Sequence, residues 1–189
     1  MDADHMVGRL LLGAILVVVS GRRLAIAACP GDINYTGPAN GLWNTQGNWD
    51  TNQVPTGVQV VCIPAGKGTI TIGAGVAAAA KDITAASGLA IAATGSLGIS
   101  DPSSALLFPN SVADLSIAAG GTLTSAGSGV SIAGQAVVDG SLGSIATLVS
   151  GSLSGTGTIG GHFDNKGGTV RPGGAGVVGT LAFGSRFDQ

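Results

Sequence analysis

The stretch LSIAAGGTLTSAGSGVSIAGQAVVDGSL, residues 115–142, decides the fold. Its apolar residues come in pairs two positions apart, Leu115 with Ile117 and Val130 with Ile132, with Ser between them and Gly-rich breaks after them. Alternation with period two puts one set of side chains on one face of a strand. The same theme stands upstream at Ile70-Thr-Ile72 and Leu89-Ala-Ile91. A second theme, Gly-x-Leu, recurs as Gly95-Ser-Leu97, Gly121-Thr-Leu123, Gly140-Ser-Leu142, Gly151-Ser-Leu153 and Gly179-Thr-Leu181. Leu89 to Leu115 and Leu97 to Leu123 are the same 26-residue step, as if one whole rung had been copied. Other steps are shorter, about 15 to 20 residues, as rungs of a β-helix vary. The expectation is a single-stranded, right-handed parallel β-helix, with Leu89, Ile91, Leu115, Ile117, Val130 and Ile132 pointing inward.

Composition agrees. In 189 residues there are 34 Gly, aromatics are 4%, charged residues 10%, and every acidic residue is Asp. Helices lean on straight side chains such as Glu, Lys and Leu, which lose little entropy there. An alphabet of Gly, Ala, Ser, Thr, Val and Ile favours short strands and tight turns. Mean hydropathy of +0.47 argues against a disordered Gly/Ser-rich chain. A β-sandwich is the alternative all-β fold, but two packed sheets need more large hydrophobes between them. The net charge is −2, and the basic residues beyond Arg23 are scattered. Nucleic acid is therefore not an expected partner, since phosphate binding needs clustered Lys and Arg.

The N-terminus reads as an export signal. Leu10–Ser20 is an apolar run of signal-peptide length, too short to span a bilayer. Asp2 and Asp4 sit badly in a positive leader, so translation is expected to start at Met6. Ala25-Ile26-Ala27 is a small-x-small cleavage site, which makes residues 1–27 the leader and places the mature chain outside the cell, secreted or at the cell surface. Cys29 and Cys62 then have two readings. As an even pair in an exported chain they form a disulfide. Alternatively, Ile26-Ala27-Ala28-Cys29 is a lipobox and Cys29 carries a lipid anchor. The disulfide is preferred, because lipidation leaves Cys62 as an odd thiol in an oxidising space.

Residues 28–64 differ in composition from residues 65–189, where the repeats lie. They hold both Trp, the only Tyr and four of the seven Pro. Within LWNTQGNWDTNQVP, residues 42–55, Trp43 and Trp49 stand six apart. They form either an aromatic platform for stacking sugars or the core of a cap that covers the first rung. The cap is preferred, because the first rung of a solenoid has no neighbour to bury it.

The last forty residues, SGSLSGTGTIGGHFDNKGGTVRPGGAGVVGTLAFGSRFDQ, resemble the passenger-associated repeats of bacterial autotransporters and related surface β-helix proteins. The matching positions are Gly155–Gly161, Asn165, Gly168–Gly173, Gly179–Leu181, Gly184, and Phe187 with Gln189. The LWNTQGNW segment is similar to the opening of exported bacterial β-helix proteins, some of which pair a Cys before it with a Cys-Ile-Pro after it, as Cys62-Ile63-Pro64. The resemblance implies an adhesin-like β-solenoid. Autotransporters continue into a membrane β-barrel, whereas this sequence runs to Gln189, so a short secreted module and a longer surface protein are both left open.

Many parallel β-helices cleave polysaccharides, which makes polysaccharide binding or cleavage the alternative function. Glycosidases need two carboxylates on one face, and lyases need acidic residues on a metal beside a Lys or Arg. The candidates Asp82, Asp101, Asp114, Asp139 and Asp164, with Lys81 and Arg171, stand singly, mostly at turn-like positions. His162 is the only His beyond the leader, which leaves little for His-based triads or metal sites. Lys67 in AGKGT lacks the full phosphate-loop pattern. The T-x-T steps Thr69-Ile-Thr71, Thr122-Leu-Thr124 and Thr156-Gly-Thr158 do not recur on consecutive rungs, as an ice-binding ladder requires. A non-enzymatic structural or adhesive module is expected, with no cofactor and no metal. Its expected partners are cell-surface glycans or proteins, and the C-terminal end is expected either to pair edge-to-edge with another copy or to fray from about Gly173 onward.

Overall fold

The computed structural model describes residues 31–101, 110–127 and 129–189. The chain winds through β1 (Ile33–Asn34), β2 (Val60–Ile63), β3 (Thr69–Ile72), β4 (Ala77–Ala80), β5 (Asp82–Ala85), β6 (Gly88–Ile91), β7 (Ser96–Ile99), β8 (Asn110–Val112), β9 (Leu115–Ile117), β10 (Thr122–Ser125), β11 (Val130–Ile132), β12 (Gln135–Val138), β13 (Ser141–Leu142), β14 (Ala146–Leu148), β15 (Ser152–Gly155), β16 (Thr158–Ile159), β17 (Phe163–Asn165), β18 (Thr169–Pro172), β19 (Ala182–Phe183) and β20 (Phe187–Asp188). β1 pairs in parallel with β2, and from β2 on each strand pairs in parallel with the strand three places later in the chain, one coil on. The first sheet is β1-β2-β5-β8-β11-β14-β17-β20, the second β3-β6-β9-β12-β15-β18, and the third β4-β7-β10-β13-β16-β19. This is a three-sided parallel β-solenoid, and it rules out the sandwich.

Stacking puts like residues in register. Leu89 pairs with Leu115 and Ile91 with Ile117 in the second sheet, while Leu97 pairs with Leu123 in the third. The two 26-residue steps are thus one coil. All six residues expected to face inward are buried. Each such aliphatic side chain stabilises the coil by about 1.5–3 kcal/mol through burial. Val130-Ser-Ile132 belongs to the first sheet rather than the second, and Ser152-Leu153 to the second rather than the third. Period-two alternation fixes inside and outside; it does not say which of three equivalent faces a strand occupies.

The corners are built from Gly and from side chains that tie one coil to the next. Gly151 has φ of +87° and lies against the carbonyl of Gly134 on the coil below, so a Cβ is excluded both by conformation and by space. Asp139 Oδ1 accepts from the backbone N–H of Thr156 at 3.0 Å, and Asp114 Oδ1 from that of Gln135 at 2.7 Å. Asn165 closes its own turn, exchanging two hydrogen bonds with Gly168.

The coil begins before residue 65, since β1 and β2 already belong to the first sheet. Above them Tyr35, Trp43 and Trp49 are buried together in edge-to-face contacts, with centroids 5.2 Å apart for Tyr35–Trp49 and 5.0 Å for Trp43–Trp49. Trp49 Nε1 donates to the Trp43 carbonyl at 2.8 Å. Asn48 Nδ2 donates to the Leu42 carbonyl, and the Asp50 carboxylate accepts from both nitrogens of Asn34. At the other end Phe163, Phe183 and Phe187 cluster with centroids 4.9–5.7 Å apart. Every Trp, Tyr and Phe among the described residues lies in one of these two end clusters.

Candidate functional site

Side chains that do not face the core line three outer faces. On the third sheet these are Ser, Thr, Ala and Gly throughout, with Ser96, Thr122, Ser141 and Thr158 in one column and Gly98, Thr124, Gly143 and Gly160 in the next. Thr122 and Thr124 are thus flanked by Ser and Gly, and Thr69 and Thr71 lie on the second sheet instead. The T-x-T steps make no common ladder.

Trp43 and Trp49, considered above for sugar stacking, are 0% and 1% exposed. Their ring faces are covered by each other and by Tyr35, so neither offers a stacking surface. The physical reason is the exposed first coil, which draws the largest apolar side chains over itself.

The Asp residues are mostly engaged in local architecture. Asp114 and Asp139 hold backbone N–H groups of the next coil, as above. Asp164 pairs with Lys166 at 3.2 Å. Asp82 Oδ1 accepts from the N–H of Ile83. Asp82, Asp101 and Lys81 do come together at the corner between the third and first sheets, where Asp101 N–H donates to the Lys81 carbonyl at 2.9 Å. Burial pushes the Asp82 carboxyl above its ordinary value against the Ile83 hydrogen bond, and the charge of Asp101 adds to the rise while Lys81 opposes it. Arg171, on β18, is elsewhere. No group of three or more His, Cys, Asp or Glu among the described residues is arranged to hold a metal ion.

His162 is not a solitary turn residue. Its Nε2 lies 2.9 Å from Asp188 Oδ2, and Arg186 grips the same carboxylate at 2.6 Å through two nitrogens. The Arg186 hydrogen bond holds the Asp188 carboxyl below its usual range, with His162 acting in the same direction. Asp164 and Asp188 are register neighbours, so this charge cluster crosses the last two coils of the first sheet.

Cys29 lies outside the described residues, as does the leader. Cys62 faces outward by strand alternation, between inward Val61 and Ile63, yet it is only 2% exposed. A Cβ placed on Gly31 would stand 2.9 Å from Cys62 Cβ, which puts the N-terminal segment directly over it.

The second sheet carries a cleft of about 270 Å³, lined by Thr69, Gly88, Leu89, Asp114, Leu115, Ser116, Gln135 and Val137. It opens over Gly88, the outward glycine of β6, with Thr69 of β3 on one side and Asp114, Ser116, Gln135 and Val137 of the next two coils on the other. Sequence reading missed this cleft. Its signal, an outward glycine within a strand, becomes meaningful only once the register is known. Comparison with protein-family models, with curated proteins and with solved structures finds no match for this chain.

Proposed function

We propose that the chain is an exported structural or adhesive surface module that works without catalysis. The observation that carries this reading is how the carboxylates are used: Asp114 and Asp139 tie successive coils, Asp50 ties the cap, and Asp164 and Asp188 are paired with cations. Such groups hold a rod together and are poorly placed to act on a substrate. A stacked coil also gives long, stiff, nearly flat faces suited to spacing and contact. The autotransporter-like pattern of residues 150–189 and the leader-like residues 1–27 support a position outside the cell. Expression of the full chain in a Gram-negative host tests this. Export and surface protease accessibility are expected, with adhesion of the displaying cells to surfaces or to one another. Retention of the unprocessed chain in the cytoplasm overturns it.

A cleaving enzyme is the second reading, and the meeting of Asp82, Asp101 and Lys81 favours it. Activity on a polysaccharide panel that disappears in both Asp82→Asn and Asp101→Asn would establish it over the first.

A further inference from the structure

We infer that the cleft of the second sheet is a binding site for a short stretch of neutral glycan, which supplies the adhesive module proposed above with its ligand class and rests on that reading. The furrow crosses the strands, from Thr69 on β3 over Gly88 of β6 to Ser116 on β9 and Gln135 and Val137 on β12. Since parallel strands stand about 4.8 Å apart, β3 and β12 are roughly 14 Å apart across it, room for one or two sugar rings once side chains intrude. Its volume falls just below the ~300–1,000 Å³ usual for drug-sized ligands, which suits one or two rings rather than a long buried chain.

The wall chemistry is that of hydroxyl recognition. Thr69 and Ser116 offer hydroxyls, Gln135 a planar amide, and Asp114 a carboxylate, all exposed enough to be reached. Asp114 is already fixed, because its Oδ1 holds the Gln135 N–H at 2.7 Å, so it need not be ordered on binding. The Asp114 carboxylate can accept from sugar hydroxyls, and the Gln135 amide can accept through its oxygen and donate through its nitrogen. Val137, 37% exposed, gives an aliphatic edge for the C–H face of a ring. The one ionisable lining side chain is acidic, so a uronate or sulfated chain meets repulsion. Lys67, on the coil of Thr69, is turned away, with its Nζ donating to the Gly37 carbonyl at 2.8 Å and the Thr36 carbonyl at 3.3 Å. Without an aromatic platform each cleft binds weakly, and adhesion comes from many copies on one surface.

The test uses purified full-length mature chain and four probes: cellohexaose, xylohexaose, mannohexaose and hexagalacturonate, read by NMR shift perturbation and calorimetry. At least one neutral hexamer is expected to bind at millimolar strength or better, shifting Ser116 and Gln135 amides, with hexagalacturonate silent. Ser116→Leu fills the furrow from an outward lining position and should weaken binding at least tenfold. Gln135→Ala alters only an exposed side chain, keeps the Asp114 bond to its backbone, and should weaken binding severalfold. No neutral hexamer binding, preference for hexagalacturonate, or binding indifferent to both variants overturns the inference. Because these probes are applied to purified protein, the outcome is separable from the export test: a chain that reaches the surface and promotes adhesion while its cleft ignores all four probes keeps the module reading and loses this site.

Discussion

Phe163 and Phe187 stack across the last coil step with their rings 3° from parallel and centroids 5.7 Å apart. They are register partners in the inward column of the first sheet, and small Ala146 stands beneath Phe163. The solenoid is plugged by rings here as it is by Tyr35, Trp43 and Trp49 at the other end. Phe163 is fully buried and Phe187 38% exposed, which grades their contributions. Phe163→Ala should destabilise the fold by about 3–5 kcal/mol, and Phe187→Ala by less than about 2 kcal/mol. Urea denaturation of both variants checks this. Equal losses would mean that the outer ring is not the rim of a plug.

Cys29 and Cys62 are expected to be bonded in exported protein. An outward Cys62 that is nonetheless buried, under a chain segment two residues from Cys29, is what a clamp over the first sheet requires. Intact mass of the mature chain should fall two hydrogens below the dithiol form, and reduction should cost about 2–4 kcal/mol of stability. A diacylglycerol mass on Cys29 would decide for the lipid anchor.

The inside and outside of this fold were legible in the sequence, because apolar-x-apolar alternation and Gly-rich breaks recur in most of its coils. The equal steps from Leu89 and Leu97 even gave the correct register. What could not be read was the face each strand takes, since Val130-Ser-Ile132 and Leu115-Ser-Ile117 are chemically alike and lie on different sheets. The cleft was illegible for the same reason: Gly88 beside Asp114 and Gln135 is a relation among three coils. Trp43 and Trp49 admitted both a sugar platform and a cap, with the cap preferred, and their burial at 0% and 1% exposure agrees with the cap.

Asp82 predicts an unusual direction. Its folded carboxyl is raised by burial, with Asp101's charge adding, so the ionised form is disfavoured in the folded state. A raised acid pKa makes the folded chain hold its proton more tightly than the unfolded chain. This group therefore costs stability above its folded pKa and ceases to do so as pH falls through it. Asp82→Asn keeps an oxygen for the Ile83 N–H and removes the charge. At pH 7 its melting temperature should equal or exceed that of the parent, and the difference should vanish below about pH 4. A lower melting temperature at pH 7 would show that the Lys81 attraction outweighs burial.

The opposite sign holds at the last coil. Asp188 is held below its usual range chiefly by the Arg186 hydrogen bond and then by His162. A depressed acid pKa contributes stability that is fully present above the unfolded value, about 3.9, and is lost as pH falls through the folded value. Asp188 lies on β20, whose docking is reported by the Phe163 N–H, which donates to the Arg186 carbonyl at 2.9 Å. β20 is two residues long and pairs on one side only, so it has little else to hold it. Protection of the Phe163 amide against hydrogen exchange, corrected for intrinsic rate, should therefore fall as pH drops from 6 to 3. The Ile117 amide in mid-coil should stay protected over the same range. Asp188→Asn should show the low-pH behaviour of Phe163 already at pH 6, and added salt should weaken the parent's protection in the same direction. Protection of Phe163 that is flat with pH and unchanged in Asp188→Asn would mean that the stacked Phe187 ring, rather than the Arg186–Asp188–His162 cluster, holds the last strand in place.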